Sequence, residues 1–497
     1  MKQSNYLLSI LLFSTIPFLF CTGCSESKTD KLNEKPNILF ICVDDLRPEL
    51  GCYGKNYIHS PNIDRLAEKG TVFTNHFVQV PTCGASRHCL LTGMLPQTNG
   101  HLSNEACHNY ISGKPETEKP ETFIHHLKRN GYYTVGIGKI SHYVDGLLYG
   151  YTDPVGDEYE LPHSWDEMLF DTGKWGTGWN AFFGYASGEN RQSLNRQVKP
   201  YEKADVEDTG YPDGLTAELA LKKMNELVKK DNPFFLAVGF FKPHLPFNSP
   251  EKYWEQYDED GLPLSPTPFI PENVNKASLH NSGEFNGYKL GDEEASLEGP
   301  VSDEYARKLR HAYFSCVSYI DTQVGKLLNE LDRLEKAENT IIVIWGDHGW
   351  HLGDHLVWGK HTIFERALKS AFIIKVPGKK NSGKINRVVS TIDIYPTLME
   401  LCNIEMLHET DGRSLVPLIE NSKAEWMDVS YGYYRNGISL RTEGYRLTQY
   451  FREDEPVTEL YDHKIDPDET KNIADAKPEV IKNLMPLLEK GNTGLYK

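Results

Sequence analysis

The strongest constraint on how this chain folds is a set of apolar runs without polar alternation. They are ILFICV (38–43), YYTVGIG (132–138), FFLAVGF (234–240), TIIVIWG (340–346) and AFIIKV (371–376), and the first four end in charged residues. A strand with one face in water alternates polar and apolar residues, whereas a strand buried on both faces does not. Helical stretches lie between the runs, at 215–230 and 304–334. In the second, Leu309, Ala312, Tyr313, Cys316, Ile320, Val324, Leu327 and Leu331 recur at helical spacing. The expected fold is therefore α/β: a large doubly wound sheet, mixed but mostly parallel, flanked by helices. Ligands of such sheets collect at the carboxyl ends of the strands. Beyond about residue 425 short aromatic runs (DVSYGYY, GISLRT, YRLTQYF) precede a helical stretch near 478–490. We expect a catalytic domain over 36–424 and a smaller α+β domain with an antiparallel sheet over 425–497. Residues 145–211 and 248–300 lack either rhythm, and insertions of that length are usually functional loops.

At the N-terminus Lys2 is followed by YLLSILLFSTIPFLF and then CTGC. A basic start, a short apolar core and small residues at the end describe a secretory signal peptide over 1–23. Cys24 lies where bacterial lipoproteins carry their lipidated cysteine, and the polar residues 24–35 read as a tether. The run is short and interrupted by Pro17, which argues against a spanning helix. The expectation is an exported lipoprotein, periplasmic or outer-membrane associated, that meets the membrane through its lipid anchor only. The formal net charge is −17, which disfavours nucleic acid and any extended polyanion groove. An anionic substrate must then be attracted locally, by a few concentrated cations. The nine cysteines show no CxxC pair outside the signal region.

Polar residues gather after four of the apolar runs: Asp44 and Asp45; Lys139 and His142; Lys242 and His244; Asp347 and His348. Each cluster alone is a common turn or cap, but four of them at strand ends of one sheet can meet at one site. Asp44, Asp45 and Asp347 offer hard oxygen donors, suited to Ca²⁺ or Mg²⁺ and not zinc. His348 offers either a nitrogen ligand or a donor behind the ligands. In PTCGASRHCLLTG, Cys83 opens a helix and Arg87 lies one turn on, on the same side. A plain cysteine hydrolase would leave three carboxylates without a role.

CGASR followed by HCLLTG resembles the sulfatase signature: Cys or Ser, any residue, Pro or Ala, any residue, Arg. NILFICVDDLRPELGCYG, SPNIDRLAEKGTVFTNHF, the DHG string and ELYDHKIDPDETKNIAD resemble the family as well, over nearly the whole chain. Sulfatases belong to the alkaline phosphatase superfamily. VDDLRPELGCYG, FFLAVGFFKPHLPF and GDHGWHLGDH…WGKH resemble the iduronate-2-sulfatase group within it. The resemblance implies that Cys83 is converted to formylglycine by a maturation enzyme; Ala85, where proline is commoner, resembles the form handled by anaerobic radical enzymes. It further implies one Ca²⁺ bound by Asp44, Asp45, formylglycine 83, Asp347 and His348. Arg87, Lys139, His142, His244 and Lys360 would surround the sulfate, with Lys242 and His361 completing the substrate pocket.

The implied chemistry is sulfate-ester hydrolysis on a sugar derived from a glycosaminoglycan such as heparan sulfate. The implied substrate is a sulfated oligosaccharide, losing the 2-O-sulfate of a terminal iduronate or unsaturated uronate. His244, with Lys360 beside it, would protonate the leaving alcohol, and His142 would take the proton that expels sulfate. Two other readings remain at this point. One is a phosphate or phosphonate monoester hydrolase of the same superfamily, disfavoured by the lack of histidines for a second transition metal. The other is a non-catalytic glycan-binding lipoprotein.

Overall fold

The computed structural model describes Met1 and residues 35–111, 120–379 and 383–496. The expected signal peptide, Cys24 and the tether up to residue 34 lie outside them. No helix among the described residues is long and apolar enough to cross a membrane.

Eight strands form the main sheet: β1 (Asn37–Val43), β2 (Thr71–Phe77), β3 (Tyr133–Gly138), β4 (Glu167–Leu169), β5 (Phe234–Phe240), β6 (Thr340–Gly346), β7 (Phe372–Lys375) and β8 (Gly383–Ser390). Their order is β8-β2-β7-β6-β1-β5-β3-β4. All neighbours are parallel except β7, which runs against β2 and β6. The apolar runs thus form the centre of a mixed, mostly parallel sheet, as the sequence implies. The absence of alternation has its physical cause here. Leu39, Ile41 and Val43 of β1 enter one core, and Ile38, Phe40 and Cys42 enter the other. In β6, Ile342 and Ile344 pack on the first side and Ile341, Val343 and Trp345 on the second.

Helices cover both faces. On one lie α1 (Pro61–Lys69), α4 (Pro212–Leu227) and α5 (Asp303–Arg333); on the other, α2 (Cys83–Thr92), α3 (Phe123–Arg129) and α6 (Ile394–Leu401). The Ser302 side chain caps α5 by accepting from Tyr305 N–H, and Asp303 and Glu304 complement the dipole in its first turn. All eight residues of its expected apolar stripe are buried.

An antiparallel sheet of β9 (Val429–Tyr434), β10 (Gly437–Thr442), β11 (Tyr445–Tyr450) and β12 (Val457–Asp462) follows, backed by α7 (Pro478–Gly491). Residues 36–497 pack as one compact unit. Arg446 on β11 joins this sheet to the body, reaching Glu365 at 2.6 Å and Glu469 at 2.5 Å, with His463 2.9 Å from Glu469. The guanidinium fills the space between the two carboxylates, so this acidic pair already has its cation. No disulfide joins the cysteines among the described residues.

The carboxyl end of the sheet is shaped by a pair of glycines. Gly138 and Gly239 are in register on β3 and β5. A Cβ on Gly239 would lie 2.1 Å from the Lys139 carbonyl oxygen, and Gly138 has φ +76°. Side chains there would push apart the two strand ends that deliver Lys139 and the 242–244 turn.

Candidate active site

Four strand ends and one helix start converge. Asp44 and Asp45 leave β1, and Asp45 has φ 60°, a left-handed conformation that turns its carboxylate back over the sheet edge. Asp347 leaves β6 and accepts from Asp45 N–H at 2.9 Å. Cys83 opens α2 with its sulfur 3.5 Å from Asp44 Oδ1, 3.2 Å from His348 Nε2 and 3.3 Å from Lys360 Nζ. Ligand atoms of Asp44, Asp45, Cys83 and His348 all lie within 4.8 Å of one another, and all four residues are buried. Asp45 Oδ2 is buried without a hydrogen-bond partner. Two carboxylates, one with an orphaned oxygen, fit a hard divalent cation where residue 83 offers oxygen in place of its sulfur. Asp347 borders this group, but its oxygens already serve Asp45 N–H and Arg87.

Two lysines lie on these carboxylates. Lys139 Nζ is 2.5 Å from Asp44 Oδ2, and Lys360 Nζ is 3.0 Å from Asp45 Oδ1. Burial alone would raise Asp44, yet Lys139, then His244, Arg87 and Lys360, hold it well below the usual carboxylate range. Burial prevails at Asp45 and pushes it well above that range, against Lys360 and His348. Burial, followed by Asp44, pushes the Cys83 thiol up to about 12. Unmodified, Cys83 is protonated at neutral pH and a poor nucleophile.

Cys83 and Lys139 line a cleft of about 280 Å³, together with His142, His244, Lys360 and His361. His142 packs on Trp179 with ring centroids 5.4 Å apart, and its Nδ1 is buried without a partner. His244 Nδ1 is 2.6 Å from the Leu245 carbonyl oxygen, so it carries the proton of the neutral ring. Its Nε2 faces Glu284 at 3.2 Å and Asp45 at 3.9 Å. Burial foremost, then Lys360, lowers His244 to about 4. His361 stacks on Tyr434 of β9, centroids 5.3 Å apart, so the C-terminal sheet reaches the rim. A further cavity of about 380 Å³ shares Glu284, Lys360 and His361 with the cleft and adds His280 and Arg435.

Two expected contacts are corrected. Arg87 does not line the cleft: Nε and Nη2 hold Asp347 Oδ2 at 3.1 and 2.9 Å, and Nη1 donates to the Lys139 and Ile140 carbonyls at 2.6 and 3.0 Å. Four of its five donors are used in fixing Asp347 and the turn after β3. Lys242 is likewise absent from the cleft lining. Its Nζ donates to the carbonyls of His244 (3.1 Å) and Pro246 (2.7 Å), which stitches the turn that presents His244.

Sequence reasoning missed Glu284, Tyr151, Trp179, Phe182, Phe183, Arg191 and Arg196, all on the cleft wall. They come from the two insertions, whose aromatic richness in 145–211 was the sole signal.

The chain matches known proteins over most of its length. A family model described as Sulfatase matches residues 36–404, and one described as N-sulphoglucosamine sulphohydrolase, C-terminal, matches 353–492. A protein of Formosa agariphila described as a sulfatase is 30% identical over 95% of this chain and 90% of its own length. Mouse iduronate 2-sulfatase is 33% identical over 74% of this chain. That alignment spans 64% of the mouse enzyme, less than two thirds of it. Among solved structures, the phosphonate monoester hydrolase of Agrobacterium radiobacter shares the fold with a TM-score of 0.71 at 22% identity, over 92% of this chain and 96% of its own.

Proposed function

From the premise that the chain belongs to the sulfatase family, we propose that it removes the 2-O-sulfate from a terminal uronate of a glycosaminoglycan-derived oligosaccharide. The observation that carries this reading is the convergence of Asp44, Asp45, Cys83 and His348 beside Lys139 and Lys360, with Cys83 and both lysines lining the cleft. A sulfate ester needs its oxygens neutralised and a nucleophile held in line with the leaving oxygen. Two buried ammonium groups and a dicarboxylate cation site supply that field. Iduronate 2-sulfatases are among the relatives, which supports a 2-O-sulfated uronate.

Cys83, converted to formylglycine, would furnish the hydrated aldehyde as nucleophile, and Ca²⁺ held by Asp44, Asp45, His348 and the oxygens of residue 83 would supply positive charge. The other roles belong to the chain's own groups. Lys139 and Lys360 hold sulfate oxygens. His244 acts as the acid in its doubly protonated form: Nδ1–H stays on the Leu245 carbonyl, and Nε2–H, stabilised by Glu284, passes to the departing sugar oxygen. His142, with its unpartnered Nδ1, accepts the proton that completes sulfate release. The neighbouring cavity gives room for the rest of the oligosaccharide. As an exported lipoprotein, the enzyme would act on fragments outside the cytoplasm.

Fold alone does not separate this reading from phosphonate hydrolysis, because a phosphonate monoester hydrolase shares it. The family model and the single four-donor group beside the cleft favour sulfate. The test is the mass of the peptide bearing residue 83 after expression with a matched maturation enzyme, followed by turnover of 2-O-sulfated disaccharides. An aldehyde at 83 together with sulfate release supports the proposal. A persistent thiol in the native host, or activity confined to phosphonates, ends it.

A further inference from the structure

We propose that Arg191 is the specificity residue of this cleft, binding a second anionic group on the same sugar that carries the scissile sulfate. In the uronate reading, on which this proposal rests for its substrate, that group is the ring carboxylate.

Arg191 follows a tight hairpin closed by the Gly184–Asn190 bridge, and its N–H donates to the Phe183 carbonyl at 3.2 Å. The guanidinium carbon lies 3.6 Å from the Phe183 ring centroid and 5.4 Å from that of Tyr288. The residue is 8% exposed. Among the described residues no carboxylate lies within 4.0 Å of it, and its Nε is buried with no hydrogen-bond partner. Its one polar side-chain contact is Nη1 to Tyr288 Oη at 3.5 Å. Other arginines buried to this degree have their donors met: Arg47 holds Glu49 and Asp354, Arg87 holds Asp347, Arg446 holds Glu365 and Glu469, and Arg310, without a counter-ion, donates to the Pro263 and Leu352 carbonyls at 2.6 and 3.2 Å.

An uncompensated buried cation is costly. Two aromatic faces offset part of that cost but accept few of the five N–H donors. Unlike Arg310, Arg191 has no carbonyl acceptors among the described residues to meet the remainder, which leaves its donors open to a ligand, and the planar fork suits a carboxylate or sulfate. Its position fits one sugar. Phe182 and Phe183 pack edge to face with centroids 4.7 Å apart. Phe182 lies under Lys139 (4.3 Å) and beside His244 (4.6 Å), whereas Phe183 lies under Arg191. Arg191 therefore stands two packed aromatic rings from Lys139, which faces the scissile sulfate, on the wall of the same cleft. The hairpin is braced for this task, since Arg196 N–H donates to the Arg191 carbonyl at 2.7 Å and Lys289 N–H to that of Arg196 at 2.9 Å.

The experiment is a cycle of two enzymes and two substrates: wild type and Arg191→Gln, each with a 2-O-sulfated uronate disaccharide and its carboxyl-reduced counterpart. In the wild type, loss of the carboxylate should lower kcat/KM about 100-fold. In Arg191→Gln the same loss should cost less than about 3-fold, because the penalty is already incurred. Arg191→Lys, which keeps the charge without the fork, should fall between. Equal losses on both substrates would mean a purely structural arginine and would overturn the proposal while leaving the uronate reading intact. A wild type that ignores both substrates but desulfates other sugars ends the uronate reading instead. The same cycle, with the second sulfate of a disulfated sugar present or removed, then decides the role of Arg191. If Arg191→Gln does not fold, the Arg191→Lys cycle carries the decision, and an unchanged substrate preference there counts against the proposal.

Discussion

Arg87 grips a single oxygen of Asp347 with two nitrogens, at 3.1 and 2.9 Å, and neither side chain has any exposed surface. Arg87 thereby sets the position of the residue that receives Asp45 N–H and adjoins His348. Removing it would leave a buried carboxylate without its cation. Arg87→Met should cost about 3–5 kcal/mol of stability and slow turnover by roughly two orders of magnitude or more, read by urea denaturation and sulfate release. A stable variant with unchanged turnover would show that Asp347 needs no clamp.

Cys83→Ala removes one sulfur from the cleft floor and should leave urea stability within about 1 kcal/mol. Turnover of any sulfate ester should vanish, because alanine yields no aldehyde. Cys83→Ser should behave likewise in a host whose maturation enzyme accepts only cysteine. Residual activity above about 1% of wild type in purified Cys83→Ala protein would exclude residue 83 as the nucleophile.

Glu284 lies 3.2 Å from His244 Nε2 and 3.9 Å from Lys360 Nζ. Glu284→Gln keeps the shape and removes the charge. Turnover of substrates with poor leaving groups should slow by roughly one to two orders of magnitude, with a shifted pH–rate profile. Aryl sulfates, whose leaving groups need no proton, should be affected far less. Equal losses on both would assign Glu284 to structure and not to the proton path.

Acid should destabilise the protein through histidines outside the cleft. Burial lowers His76 and His88 to about 3, and neither ring nitrogen of His88 has a hydrogen-bond partner. Both are neutral when folded, while the unfolded chain protonates near 6.5, so stability is full above that pH and falls as pH drops toward 3. Each should lose roughly 2 kcal/mol between about pH 7.5 and about pH 5. His88→Met should narrow the difference between urea midpoints at the two pH values; an unchanged difference would remove His88 from the account.

The central strands and the convergence of Asp44, Asp45, Cys83 and His348 were legible because burial on both faces writes itself into composition. Charges placed directly after such a run have few places to go except the sheet's carboxyl edge. Asp44, Asp45, Asp347 and His348 follow that rule. Arg87 and Lys242 show its limit: charge type was readable, but which way the side chain turns depends on carbonyls supplied by residues 139, 140, 244 and 246. Glu284 and Arg191 were invisible because they sit in insertions without periodicity, where only tertiary packing on Phe183, Tyr288 and His244 gives them meaning.

The cation prediction follows from Asp45. Its Oδ2 is buried without a partner, its Oδ1 is met by Lys360, and Asp44, Cys83 and His348 complete the donor group. Such a site stabilises the folded state in proportion to cation bound, by about 2.7 kcal/mol at roughly a hundred times the dissociation constant. Chelation should therefore lower the Tm and abolish sulfate release together, and Ca²⁺ should restore both. Mg²⁺ demands a tighter octahedral shell and should restore them less well. Asp45→Asn should remove the dependence of Tm on added Ca²⁺ while leaving the fold intact. A chelated wild-type enzyme that keeps both its Tm and its activity would mean that Lys139 and Lys360 alone neutralise this cluster, and that no cation belongs there.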